Sequence, residues 1–269
     1  MAISWSEQTC LLTGATGGIG QAIATKLAER GVSLILTGRD TARLSEMIET
    51  LPGQHTVICA DLTVPEDMNK VVLTSRQHAL TMLINNAGIT HTGNFSLVSP
   101  QDIDQVLQTN LIAPMTLTAK LLPYLKQSSQ GHIINVGSTF GSIGFPCHAL
   151  YSASKFGLRG WTEALARENA GTDLRIRYFA PRATKTAINS DQVTLMNEAL
   201  GNTMDSPQYV ADEFINMLES RQPRWFVGFP EKLFVRINGA MPSLVDKALR
   251  KKLPTIQRYI SPSNKESVS

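Results

Sequence analysis

Short apolar runs alternate along the chain with longer segments whose apolar residues recur every three or four positions. The runs at residues 9–13, 32–37, 56–60, 82–85, 132–136 and 175–179 read as buried strands. Segments 20–30, 41–50, 65–79 and 151–169 between them have the period of amphipathic helices. Strands that are apolar on both faces and separated by helices imply a parallel sheet covered on both sides, joined by right-handed crossovers. The pattern predicts an α/β fold, a doubly wound parallel sheet of about seven strands with helices on both faces. No Gly/Pro/Ser-rich linker, internal repeat or charge block interrupts it, so residues 1–256 are expected to form one domain. Residues 257–269 read as a flexible tail.

The first strand runs straight into Thr13-Gly14-Ala15-Thr16-Gly17-Gly18-Ile19-Gly20, with a helix expected from about Gly18. Glycines at the C-terminal end of a strand let the backbone turn tightly and approach a pyrophosphate, whose charge is stabilised by free N–H groups at the helix start. The expected ligand is a dinucleotide, in a Rossmann-type arrangement. Two spacings fit, Gly14-x3-Gly18-x-Gly20 and Gly14-x2-Gly17-x2-Gly20, and they belong to different nucleotide-binding families. After the second strand stands Thr37-Gly38-Arg39, where an acid would bind the adenosine ribose of NAD. Gly38 leaves that place open and Arg39 offers a charged planar fork to a 2′-phosphate, which favours NADP over NAD. Asp40 next door is a second candidate for a ribose hydroxyl. Asp61, after the third strand, reads either as a contact to adenine or as a cap for the helix starting at Pro65.

Tyr151-Ser152-Ala153-Ser154-Lys155 opens another helix, and a spacing of four puts Tyr151 and Lys155 on one face. A phenol with pKa about 10 needs roughly 4 kcal/mol to come down by about three units. An ammonium at about 4 Å in an effective dielectric near 20 supplies about that much. Lys155, helped by the positive nicotinamide ring, is therefore expected to bring Tyr151 into the range of acid/base catalysis. Ser138, just after strand 132–136, places a hydroxyl at the ligand-binding edge of the sheet, where it can hydrogen-bond a carbonyl oxygen. A nucleophilic serine is disfavoured, because Gly-x-Ser-x-Gly is absent and no histidine completes a triad. Asn110 interrupts an apolar helix, either bending it around a water that serves Lys155 or sitting as a satisfied core amide.

These residues, together with Asn85-Asn86-Ala87-Gly88, make the chain resemble the short-chain dehydrogenase/reductase family over roughly residues 8–228. Asn85 to Gly88 and the compact length resemble its simple oxidoreductase branch. The resemblance resolves the glycine spacing. It implies that Tyr151 is the acid/base, that Ser138 orients the carbonyl, that Lys155 also holds the nicotinamide ribose, and that Asn110 completes a proton relay. It further implies cofactor contacts from Gly14, Thr16, Gly17, Gly18, Ile19, Gly20, Asp61, Leu62, Asn86, Ala87, Gly88, Pro181 and Thr186. Where the family commonly has Pro-Gly, this chain has Pro181-Arg182, and Arg182 and Lys185 are candidates to contact a cofactor phosphate or an acidic substrate group. The family's four-helix contact implies a homodimer or homotetramer through the helices around Asn110 and Tyr151.

Composition narrows the remaining possibilities. With 42% hydrophobic and 17% charged residues, the chain has the makeup of a globular protein, and no apolar stretch is long enough to span a bilayer. No signal segment is apparent at the N-terminus, so a cytoplasmic location is expected. Cys10, Cys59 and Cys147 lack metal-site spacing and suit a reducing compartment; no metal is expected. A net charge of +3 argues against nucleic acid as partner. Phe145, Cys147, Leu195, Met196, Leu200 and Met204 suggest apolar walls for a hydrophobic, acyl-chain or lipid-like ketone, aldehyde or alcohol. Residues 232–256 form a basic amphipathic element; seven Lys/Arg against one acid between Lys232 and Ile260 fit peripheral contact with an anionic membrane, or packing on the domain itself or on a second subunit. Competing readings are an NAD-dependent alcohol dehydrogenase, a non-catalytic NADP-sensing module, and an interaction protein recruited by its basic end.

Overall fold

The computed structural model describes residues 3–260. Seven strands form one sheet: β1 (Thr9–Thr13), β2 (Ser33–Gly38), β3 (Thr56–Cys59), β4 (Met82–Asn85), β5 (His132–Val136), β6 (Arg175–Ala180) and β7 (Arg224–Phe226). Their order is β3-β2-β1-β4-β5-β6-β7, with every neighbouring pair parallel. The chain winds outward from β1 to β3 and then returns to lay β4 on the other side of β1. The doubly wound sheet is the architecture predicted from the apolar runs.

Adjacent residues of a strand face opposite sides, and the two cores follow that alternation. Leu12, Leu34, Leu36, Ile84, Ile134 and Phe179 bury against α1 (Gly18–Ala28), α2 (Thr41–Thr50) and α8 (Pro207–Glu219). Phe214 of α8 meets Phe179 edge to face with ring centres 5.2 Å apart. On the other side Leu11, Ile35, Leu83, Ile133 and Ile176 pack with α3 (Pro65–Gln77) and α5 (Ala113–Leu125), and α6 (Ala149–Glu168) covers the same face. Side-chain caps set several helix starts: Asp40 accepts from Arg43 N at 3.0 Å to cap α2, and Ser99 with Asp102 forms a capping box at α4 (Pro100–Leu107).

Beyond β6 the chain builds α7 (Asp191–Ala199), then, after α8 and β7, α9 (Glu231–Ala240) and α10 (Pro242–Ile260). α10 runs on to Ile260, which is buried, so residues 257–260 belong to a packed helix and not to the tail expected from 257; the rest of that tail lies outside the described residues. The apolar stripe of α10 faces the domain, where Ile256 and Ile260 cluster with Val193 and Met196 of α7. Lys247, Arg250, Lys251 and Arg258 are left exposed on the opposite face. Among the described residues, no helix is long and apolar enough to cross a membrane.

Candidate active site

The strand order reverses between β1 and β4, and a cleft of about 690 Å³ opens along the C-terminal ends of the strands at that point. Its walls include every residue assigned to the cofactor from the sequence, together with Ser138, Tyr151 and Lys155. Asn110 does not reach the cleft surface and lies fully buried behind it.

Two turns make the floor. Thr13 Oγ1 accepts from the backbone N–H groups of Asn86 (2.9 Å) and Ala87 (3.0 Å), while Asn86 Nδ2 donates to the carbonyls of Thr13 and Gly14, both at 3.0 Å. The turns after β1 and β4 are thereby fixed to each other. Gly14 has φ of +61°, and a Cβ there would lie 2.7 Å from Ala87 Cα, so position 14 admits only glycine without strain. The first backbone bond of α1 is donated by Gln21 to Gly17 O, which leaves the amides of Gly18, Ile19 and Gly20 without an acceptor in the helix. Three free N–H groups at the positive end of a helix dipole, over a glycine floor, fit a pyrophosphate.

At the far end of this floor Thr37 Oγ1 is buried with no hydrogen-bond partner among the described residues, and Arg39 lines the wall. Arg43, one turn into α2, lines it too and supplies a second guanidinium that the strand-end motif did not reveal. Asp40 is committed to capping α2, which takes away the ribose contact considered for it. Asp61 is not a helix cap, since Val64 precedes α3 without any side-chain bond. Instead Asp61 Oδ1 accepts from Thr63 Oγ1 (2.7 Å) and Thr63 N (2.9 Å), bonds that hold its carboxyl below the usual range.

In the middle of the cleft, α6 presents Tyr151 and Lys155 one turn apart. The Tyr151 phenol faces the Ser138 side chain, whose hydrogen-bonding influence acts to lower its pKa. Burial nevertheless pushes it up to about 12, with Ser138 only partly offsetting the desolvation. Lys155 is buried and pushed down to about 8 by the same cause. Its Nζ donates to Val136 O at 3.1 Å and stands 5.7 Å from the centre of the Tyr151 ring. Among the protein's own groups the loss of water dominates; the lowering expected of Lys155 is one it shares with the positive nicotinamide ring. The Tyr151 phenol is neutral at neutral pH.

Ser138 is held by Tyr178 of β6, whose hydroxyl accepts from Ser138 N (3.2 Å) and donates to Ser138 O (3.1 Å). Nothing in the motif pointed to Tyr178; a hydroxyl-bearing ring inside a fully buried strand was the available signal. Asn110 occupies a π-helical turn, Gln108–Ile112, between α4 and α5. The wider turn lets its amide close a two-way pair with Ile89, Oδ1 accepting from the N–H and Nδ2 donating to the carbonyl, both at 2.8 Å. Nδ2 also donates to Ser154 Oγ at 3.0 Å. A Cβ on Gly88 would stand 3.2 Å from Asn110 Oδ1 and 3.5 Å from Lys155 Nζ, so Gly88 keeps the space around both groups open. Behind them Asn85 Nδ2 donates to Thr118 Oγ1 (3.1 Å) and Asn135 Oδ1 (2.8 Å), and Asn135 Nδ2 donates to Thr162 Oγ1 (2.8 Å). This buried string crosses β4 and β5 from α5 to α6.

The other end of the cleft is apolar. Phe140 and Phe145 stack with centres 4.7 Å apart, His148 sits edge-on to both, and Ile143, Val193, Met196, Leu200, Phe234, Val245 and Leu249 continue the wall. Of the wall residues expected from the sequence, Phe145, Met196 and Leu200 are there. Leu195 points outward and is 51% exposed; Cys147 packs under α10, and Met204 also stays off the wall. Arg182 lines the cleft but is engaged elsewhere: Nη2 and Nε each lie 2.8 Å from the Asp205 carboxylate, and Nη1 lies 2.9 Å from Glu231. Lys185 is exposed and off the wall. Arg182 thus ties the loop after β6 to the start of α9.

A doubly wound sheet with a glycine-lined cleft and a Tyr/Lys/Ser constellation defines an oxidoreductase of the nucleotide-binding α/β class. The family model for short chain dehydrogenase matches residues 8–196, and the chain belongs to that family. A 3-oxoacyl-[acyl-carrier-protein] reductase of Rickettsia bellii is 32% identical over 244 residues, covering 89% of this chain and 98% of that protein. The solved structure of a 3-ketoacyl-(acyl-carrier-protein) reductase from Brucella melitensis complexed with NADH superposes with a TM-score of 0.77 at 25% identity, covering 85% of this chain and 99% of that one. A short-chain dehydrogenase from Sphingobium yanoikuyae in complex with NADPH superposes with a TM-score of 0.74 at 25% identity, covering 97% and 99%.

Proposed function

We propose that the protein is an NADPH-dependent reductase of an apolar ketone or aldehyde, able to run in reverse on the alcohol. The observation that carries this reading is the convergence of Tyr151, Ser138 and Lys155 on one cleft at the junction between the glycine floor and the apolar wall. Gly14 to Gly20 would hold the pyrophosphate, Asn86 to Gly88, Pro181 and Thr186 would flank the nicotinamide, and Asp61 with Leu62 would line the adenine. Arg39 and Arg43 together favour a 2′-phosphate, because two guanidiniums stand where a carboxylate would serve NAD. The bound dinucleotide supplies the hydride.

The protein's own part is to hold and protonate. Ser138, braced by Tyr178, donates to the substrate oxygen; Tyr151 delivers the proton from its neutral phenol. Lys155 keeps a positive charge beside the phenolate that remains, and Asn110 fixes the Ile89 backbone that borders this path. Closure by apolar walls excludes water and strengthens these interactions. Following nicotinamide absorbance with a panel of apolar ketones and NADPH tests the reading. Tyr151→Phe should lower turnover by about 10²- to 10⁴-fold; activity retained in that variant would overturn the assignment.

Two further parts of the reading concern surfaces. Exposed Ile112, Met115 and Phe156, on the π-helical turn, α5 and α6, support a homodimer or homotetramer assembled through those helices. The outward cations of α10, flanked by exposed Leu233, Met241 and Leu244, support salt-sensitive peripheral contact with anionic lipid. Since the apolar stripe of α10 is consumed by the domain, that contact would be mainly electrostatic. Unchanged sedimentation with anionic vesicles at low salt would dismiss it.

A further inference from the structure

We propose that Lys252 forms a subsite for an anionic group, carboxylate or phosphate, on the distal end of the substrate; this rests on the reductase reading above. On α10, Val245, Ala248, Leu249 and Lys252 follow one another at spacings of three and four, and all four line the cleft. They make an apolar strip roughly 10 Å long that ends in one ammonium. The remaining cations of the helix, Lys247, Arg250, Lys251 and Arg258, do not line the cleft.

Every other cation on the cleft wall has a different place or employment. Arg39 and Arg43 stand at the adenosine end. Lys155 donates to Val136 O, and Arg182 is occupied by Asp205 and Glu231. Lys252 is half-buried, and among the described residues no carboxylate forms an ion pair with it. Among the described residues, the acids on the wall are Asp61, at the far end, and Glu231, already paired with Arg182. An ammonium on an apolar wall with no carboxylate beside it offers an incoming anion a charge-assisted partner. The geometry points to an amphiphile: a carbonyl at Ser138 and Tyr151, an apolar chain along Val245 and Leu249, and an anion on Lys252.

The test compares a medium-chain ketone with the same ketone ending in a carboxylate and in a phosphate monoester, each with NADPH, in the full-length wild type, Lys252→Met, Lys252→Arg and Lys251→Met. A charge-assisted hydrogen bond corresponds to a preference of about 10- to 100-fold. The wild type should favour an anionic ketone by that factor, expressed in KM more than in kcat. Lys252→Met should erase the preference, while Lys252→Arg and the outward-facing Lys251→Met should keep it. Which anion gains more identifies its source. A second arm titrates dodecanoate, dodecyl phosphate and dodecanol into the same proteins by calorimetry, so a failure of turnover on every ketone tells against the reductase reading and leaves this inference separately decided. Equal binding of anion and alcohol by the wild type, or an anion preference that survives in Lys252→Met, would overturn it.

Discussion

Replacing Arg182 with Met removes one guanidinium from a three-way tether and leaves its partners in place. Arg182 and Asp205 are 11% and 6% exposed at their side chains and meet through two 2.8 Å contacts, so Asp205 would be left as an uncompensated, nearly buried carboxylate. Breaking such a pair from one side costs about 3–5 kcal/mol, whereas the more exposed Glu231 contact adds little. In a chain of this size each kcal/mol lowers the melting temperature by roughly 2 °C, so Tm should fall by roughly 6–10 °C. Asp205 also donates its N–H to Ala183 O and accepts from Lys185 N, both at 2.9 Å, and these bonds close the base of the segment carrying α7. Loosening should therefore begin in that segment, with earlier proteolytic cleavage there than elsewhere. Arg182→Met/Asp205→Asn should recover part of the loss, giving a coupling of about 2 kcal/mol in a double-mutant cycle. The reasoning fails if Arg182→Met melts within about a degree of wild type and instead raises the KM for NADPH about tenfold, which would return the guanidinium to the cofactor.

Arg39→Ala/Arg43→Ala should reduce the preference for NADPH over NADH by about 10- to 100-fold in kcat/KM, with little change for NADH itself; an unaltered ratio would show that neither guanidinium reads the 2′-phosphate. Carbonyl reduction draws on the neutral phenol and should hold its rate up to about pH 8, then fall as Lys155, pushed down to about 8, loses its proton. Alcohol oxidation needs the phenolate and should rise with pH across the same interval, because burial has pushed Tyr151 up to about 12. Reduction that accelerates above pH 8 would contradict both roles. Phe156→Glu places a charge in the exposed apolar patch of α6 and should shift sedimentation toward a smaller species; an unchanged sedimentation coefficient would locate the subunit contact elsewhere.

The strand runs were readable because a parallel sheet buries both faces, and a stretch such as His132 to Val136 has no other favourable environment. β7 escaped notice: three residues at the sheet edge, with Arg224 exposed, carry no periodicity to detect. The cleft motifs were legible because each lies on one continuous piece of chain, glycines at a strand end or a Tyr and a Lys one turn apart. What brings distant pieces together was not. Tyr178 on Ser138, Arg43 beside Arg39 and Lys252 in the wall depend on side-chain directions that only the assembled layers set. The pairing of Arg182 was illegible for the same reason, since its partners Asp205 and Glu231 are 23 and 49 residues away along the chain. The acidity expected for the Tyr151 phenol rests on the charges of Lys155 and of a nicotinamide ring, while burial of the phenol acts in the opposite direction.

The string from Thr118 through Asn85 and Asn135 to Thr162 has a consequence for how the chain finds its fold. β4 and β5 are otherwise aliphatic runs, Leu83 and Ile84 against Ile133 and Ile134, and such runs fit nearly as well when slid by two residues, a shift that keeps every side chain on its proper face. Asn85 lies directly opposite Asn135 in the ladder. A slid pairing would strand each amide in an apolar layer without its mate, at about 1–3 kcal/mol apiece. Two amides and two threonines thus act as a key for alignment. They discriminate against near-native competitors in the compact ensemble, where greasy surface alone gives the chain little reason to choose.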